Sequence, residues 1–135
     1  MARRTKKDKH LLGKLEMRIM MILWEAGEAT CRDVFTTLGG DSAYAYTTVL
    51  SMMKHLEKKG IVAHAEEGRA FVYRPVVRRE DVEERMLTDF VESVFAGSVP
   101  DLVNSLLNTA DLSEEDLDEI ETAVRRLREA RGDER

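Results

Sequence analysis

Between Gly60 and Pro75 the apolar residues stop recurring every three or four positions and begin to alternate. The stretch "IVAHAEEGRAFVYRP" is rich in Ile, Val, Phe and Tyr, and Glu67-Gly68 falls where a tight turn would reverse the chain. The pattern predicts a two-stranded hairpin over residues 61–66 and 69–74, ended by Pro75. The segments on either side keep a helical period. The chain is therefore expected to be mostly α with one small β-hairpin, and the order of elements around that hairpin carries most of the argument.

Three helices are predicted before it. "LEMRIMMILWEAG" is apolar on most faces, with Leu15, Ile19, Ile22, Leu23 and Ala26 joined by Met20 and Trp24. Gly27 ends it. In "EATCRDVFTTLGG", Thr30 and Asp33 have the spacing of a capping box, with Asp in place of Glu. Val34 and Leu38 give this short helix an inward face, and Gly39-Gly40 stops it. The third is "YTTVLSMMKHLEKKG". At about 100° per residue, Val49, Met52, Met53 and Leu56 share one side. Thr47, Ser51, Lys54 and Lys58 lie opposite, flanked by Thr48 and His55, with no acid among them.

After Pro75 the helical period returns. Val82, Met86, Phe90 and Val94 recur every fourth residue, with Leu87, Val91 and Phe95 as a second stripe. Val99, Leu102, Val103, Leu106 and Leu107 follow in a helix that tolerates Pro100 in its first turn. Ser113 is a good N-cap before an acidic first turn, and the last helix repeats Leu117, Ile120, Val124 and Leu127.

The net charge of −5 conceals an asymmetry. Residues 1–79 carry 15 Lys or Arg against 9 Asp or Glu, whereas residues 80–135 carry 6 against 17. An acidic chain argues weakly against nucleic acid, but a basic half joined to an acidic half does not. The longest uncharged run, Ser42 to Met53, is 12 residues, short of the about 18 that a membrane helix needs. The basic start "MARRTKKDKH" lacks the apolar run of a signal peptide, because Lys14, Glu16 and Arg18 interrupt the apolar residues beyond it. With one cysteine, Cys31, and hence no internal disulfide, a cytoplasmic location is expected.

Helix, short helix, amphipathic helix, hairpin is the order of a winged helix-turn-helix. There the second helix of the pair enters the major groove and its early side chains meet base edges. Thr47, Thr48 and Ser51 fit base contact, through hydroxyls and threonine methyls. Lys54, Lys58 and, from the hairpin, Arg69 fit phosphate contact. Glu66 and Glu67 suit a wing that stands back from the backbone and leaves contact to Arg69. The domains expected are a disordered basic arm over residues 1–10, a winged-helix DNA-binding domain over 11–78 and a helical dimerisation domain over 79–135.

The residues also carry a resemblance. "LGKLEMRIMMILWEAGEATCRDVF", "AYTTVLSMMKHLEKKGIV" and "EEGRAFVYRPVVRRED" resemble the penicillinase-repressor family of BlaI/MecI/CopY type, through L-G-x-L-E, L-W, Y-T-T-V, K-K-G and Y-x-P. The match runs through residues 12–81, and the C-terminal helices agree in pattern more than in letters. The resemblance implies a homodimeric winged-helix repressor that binds inverted repeats in promoters, with the C-terminal helices holding the dimer. It adds Tyr46 to the start of the recognition helix, although the helical wheel puts Tyr46 near the buried edge, where packing is its plainer role.

Dimerisation has its own argument. Three helices in 56 residues give too little core to cover their apolar stripes, so a second copy is expected over Val82, Met86, Phe90, Val94, Leu117, Ile120, Val124 and Leu127. The alternative is packing within the chain.

Some family members are cut at an Asn-Phe bond in the fifth helix. A gapless alignment puts Ser105-Leu106 there, a departure from that pattern, so the sequence leaves open whether a regulatory protease is a partner. No cysteine follows Cys31, so copper sensing of the family's cysteine-cluster kind is not expected. His10, His55 and His64 lack ligand spacing, and no metal or cofactor is expected. No Gly-rich phosphate loop, paired carboxylates or nucleophile-base set suggests an enzyme. Two readings remain at this point: a homodimeric repressor on a palindromic operator, and a winged-helix protein-interaction module without specific DNA binding.

Overall fold

The structure, a computed structural model, describes residues 10–133. The basic arm expected over residues 1–10 lies, except for His10, outside the described residues. The helices are α1 (Lys14–Ala26), α2 (Cys31–Thr37), α3 (Tyr46–Lys58), α4 (Arg79–Phe95), α5 (Val99–Thr109) and α6 (Glu114–Asp133). The strands are β1 (Ala29–Thr30), β2 (Val62–Glu67) and β3 (Ala70–Pro75). The chain forms two compact units, one ending at Phe90 and the other starting at Val91. The boundary expected at residues 78/79 thus moves into α4.

In the first unit, local chemistry sets the helix ends. Glu16 Oε1 accepts the Gly13 N–H at 3.1 Å, satisfying one free donor at the start of α1. The box expected at α2 is present: Thr30 Oγ1 accepts the Asp33 N–H at 3.0 Å, and Asp33 Oδ2 accepts the Thr30 N–H at 3.1 Å. The Thr30 N–H, and after it the Thr30 hydroxyl, hold the Asp33 carboxyl below its ordinary range.

A reciprocal pair of bonds closes α3. The Ile61 N–H donates to Leu56 O at 2.9 Å and the Gly60 N–H to Glu57 O at 3.0 Å. This is a Schellman motif, with Gly60 in the left-handed region at φ 80°. Leu56 and Ile61, both fully buried, complete its apolar contact. The motif turns the chain out of α3 directly into β2.

The sheet has three strands in the order β1-β3-β2, both pairs antiparallel. Two-residue β1 carries no readable period and was not expected; it pairs Ala29 with Tyr73 and Thr30 with Val72. The hairpin register pairs Glu67 with Ala70, so Gly68-Arg69 forms the turn. This corrects the expected Glu67-Gly68 turn by one residue. Gly68, at φ 63° in the first central position, has the backbone that a type II′ turn requires there. Arg69 therefore sits in the wing tip itself.

Ile19, Met20 and Leu23 of α1, Val34 of α2, and Val49, Met53 and Leu56 of α3 meet in one fully buried core, to which β3 adds Tyr73. Each such side chain contributes about 1.5–3 kcal/mol by leaving water. Val82 joins this core with no exposed surface, and Met86 packs against it and accepts the Leu12 N–H at 3.2 Å. That corrects the apolar stripe of α4. Val82 closes the winged unit and leaves no face for a second copy.

In the second unit, Ala96 (φ 49°) and Gly97 (φ 84°) turn the chain between α4 and α5. Ser98 Oγ caps α5 by accepting the Asp101 N–H at 3.2 Å. Ser113 and Asp116 form a reciprocal box at the start of α6. No residue of α5 or α6 is buried.

Candidate nucleic-acid interface

The face of α3 expected to meet DNA is exposed. Val49, Met53 and Leu56 are fully buried and Met52 half-buried, which fixes the rotation of the helix about its axis. Thr47, Thr48, Ser51, Lys54 and Lys58 all lie in solvent, and Arg69 is exposed at the wing tip. At the N-terminus, Ala45 supplies no side-chain cap and the first turn holds no acid. The positive end of the helix dipole is therefore left uncompensated, an arrangement suited to an anion.

The absence of acid from that face has a structural cause. Glu57 is the one acid of α3, and it turns toward the wing to bond His64 Nδ1 on β2. His64 also stacks on Phe71 at 4.3 Å between centroids. The wing is thus tied to α3 by the group that would otherwise repel phosphate.

A second tie holds the other side. Lys59 Nζ lies 3.1 Å from Glu16 Oε2, and His55 Nε2 lies 3.8 Å from the same oxygen. Lys59 is mostly enclosed and neutralised, so the "KKG" pair divides: Lys58 faces solvent and Lys59 serves the fold.

Tyr46 is half-buried, as the helical wheel indicated. Its ring meets Phe35 edge-on at 5.4 Å, and the Arg32 guanidinium lies 4.4 Å from the ring centroid. Burial pushes the Cys31 thiol up, partly offset by its hydrogen bond with Tyr46. The same bond raises the Tyr46 phenol. Just before α3, Arg18 donates to the Tyr44 hydroxyl at 3.0 Å.

Arg32, Tyr44, Glu16 and the Glu57–His64 tie were not marked by sequence reasoning. Each depends on neighbours distant in the chain. Only Glu16, an acid inside an apolar helix pattern and three residues after Gly13, left a local trace.

Of the residues expected to hold a dimer, Val94, Ile120, Val124 and Leu127 are 58%, 37%, 46% and 54% exposed, and Phe90 is 45% exposed. Leu117 is half-buried. Ser105 and Leu106 fall inside α5.

Residues 12–126 match the family described as penicillinase repressor. The chain is 29% identical over 105 residues to the penicillinase repressor of Bacillus licheniformis, covering 78% of this chain and 82% of that one. It is 35% identical over 79 residues to the transcriptional regulator BlaI of Mycobacterium tuberculosis, covering 58% of this chain and 57% of that protein. Among solved structures, the oxidized form of MarR from E. coli shares the fold, with a TM-score of 0.51 and 15% identity over 90% of this chain and 85% of that one.

Proposed function

This chain belongs to the penicillinase repressor family, and from that premise we propose that it represses transcription as a homodimer on an inverted-repeat operator. It is a DNA-binding regulator and not an enzyme. The observation that carries the proposal is the face of α3. Thr47, Thr48, Ser51, Lys54 and Lys58 are exposed together, while the only acid of the helix is held by His64.

In this reading α3 enters the major groove. Thr47, Thr48 and Ser51 meet base edges, and Lys54 and Lys58 meet phosphates. Arg69, at the apex of a tight turn, extends beyond Glu66 and Glu67 toward the backbone. One such helix reads few bases, and two related by a two-fold axis read a palindrome.

The second copy is supported by the state of α5 and α6. Helices with no buried residue and with Leu106 and Leu127 half exposed hold little stabilising burial of their own. A two-fold partner over Val94, Ile120, Val124 and Leu127 would supply it. Among the described residues no helix is long and apolar enough to cross a membrane, and the proposal places the protein with DNA in the cytoplasm. Selection of bound duplexes from a random pool, read with the salt dependence of their affinity, tests the proposal. A palindromic consensus bound steeply with salt is expected; enrichment of no sequence would refute it.

A further inference from the structure

Arg32 occupies the first turn of α2, exposed, at the point where α2 meets the start of α3. Its guanidinium lies 4.4 Å from the Tyr46 centroid and 5.5 Å from that of Phe35. Those rings meet at 82°, so the guanidinium rests in a corner between two aromatic faces. Cys31, the buried neighbour of Arg32, shares a side-chain hydrogen bond with Tyr46. A long flexible cation is thereby held near one position.

Among the described residues no acid forms an ion pair with Arg32; nearby in the winged unit, Glu16 pairs with Lys59 and His55, and Glu57 with His64. The neighbouring acid, Asp33, is engaged with Thr30. A guanidinium whose face lies on a ring keeps its N–H edges free, and those edges match phosphate oxygens.

We propose that Arg32 is a phosphate contact at the edge of the major groove and that Tyr46 is its platform rather than a reader of bases. The proposal rests on the repressor reading above and deepens it. Tyr46 begins the helix that carries Thr47 and Thr48, so a phosphate held by Arg32 would set the depth at which those hydroxyls meet the bases. The interface gains a basic group from α2 that α3 and the wing do not provide.

The test uses the full chain, a duplex selected by the wild-type protein from a random pool, and an unrelated duplex of equal length. Affinity is measured across a range of KCl for wild type, Arg32→Gln, Arg32→Lys and Tyr46→Phe, with thermal melting as the folding control. Arg32→Gln should weaken both duplexes by similar factors, about tenfold, and reduce the salt slope by about two per dimer. Arg32→Lys should retain the slope. Tyr46→Phe keeps the ring and should leave base preference unchanged. An unaltered slope in Arg32→Gln would overturn the phosphate contact, and a changed base preference in Tyr46→Phe would overturn the platform. If wild type enriches no duplex from the pool, the repressor reading itself falls and this contact falls with it.

Discussion

Glu16 and Lys59 meet at 3.1 Å, and their ion pair joins the beginning of α1 to the end of α3. Glu16 spends its other oxygen on the Gly13 N–H, so one carboxylate both caps α1 and anchors the proposed recognition helix. Its side chain retains 12% of its accessible surface and that of Lys59 16%, which puts the pair between surface and interior. Glu16→Ala removes the cap and strands the lysine. It should cost about 2–3 kcal/mol in urea unfolding. Glu16→Gln keeps an acceptor for Gly13 and should cost about 1 kcal/mol. Equal losses in the two variants would mean that the cap contributes nothing beyond the ion pair, and a neutral Glu16→Gln would mean that the ion pair contributes nothing.

Contacts to bases and to phosphates separate by mutation. Thr48→Ala should narrow the affinity difference between selected and unrelated duplexes. Lys54→Ala should weaken both alike and reduce the salt slope. Neither position is buried, so melting temperatures should not move. Identical behaviour of the two variants in competition binding would contradict the division of roles along α3.

Gly60 sets the path from α3 into the wing. A Cβ there meets nothing within 4 Å, so the cost of Gly60→Ala is conformational rather than steric crowding. At φ 80° that cost should be about 1–2 kcal/mol in equilibrium unfolding. A neutral substitution would show that an alanine takes up the left-handed conformation there without that cost, or that the closure rearranges to avoid it.

Stability should fall in alkali. Burial raises the Cys31 thiol and the Tyr73 phenol, and the bond to Cys31 raises Tyr46. For each group the fold binds its proton more tightly than the unfolded chain does. The contribution is complete below the ordinary thiol and phenol values, about 8.5 and 10, and is lost as pH rises past them. Denaturant midpoints should drop between about pH 8 and pH 11. Asp33 acts in the opposite direction at the acid end. Its depressed pKa gives stability present above the ordinary carboxylate value and lost as pH falls through the depressed one. An Asp33→Asn protein should therefore show a flatter acid limb.

Removing residues 113–135 should yield monomers in sedimentation. Leu127 and Val124 are 54% and 46% exposed in the single chain, and the proposed partner covers them. A truncated protein that remained dimeric would shift the interface to the Val94 side of α4 and to α5.

What the sequence made legible was periodic or local. The buried side of α3, the Thr30–Asp33 box and the switch to a hairpin each depend on residues a few positions apart. The wing turn slipped by one because both Glu67-Gly68 and Gly68-Arg69 offer a glycine, and register alone decides between them. Strand β1 escaped because two residues have no period, and its pairing depends on Tyr73 and Val72 far along the chain. Val82 was misassigned for a related reason. An apolar stripe records that a face is covered, and the winged core covers this part of it. At the candidate interface the exposed side chains of α3 were readable, whereas Arg32 becomes visible only when α2 brings it onto Tyr46.

The central claim is that the α3 face, with the wing tip and Arg32, neutralises phosphates in a two-fold complex. Fluorescence anisotropy of a labelled palindromic duplex, titrated with the full-length protein across a KCl series, tests it most directly. With at least three basic side chains per subunit at phosphates, log affinity should fall against log salt with a slope of about −5 or steeper. A flat response, or no binding at low salt, would contradict the account.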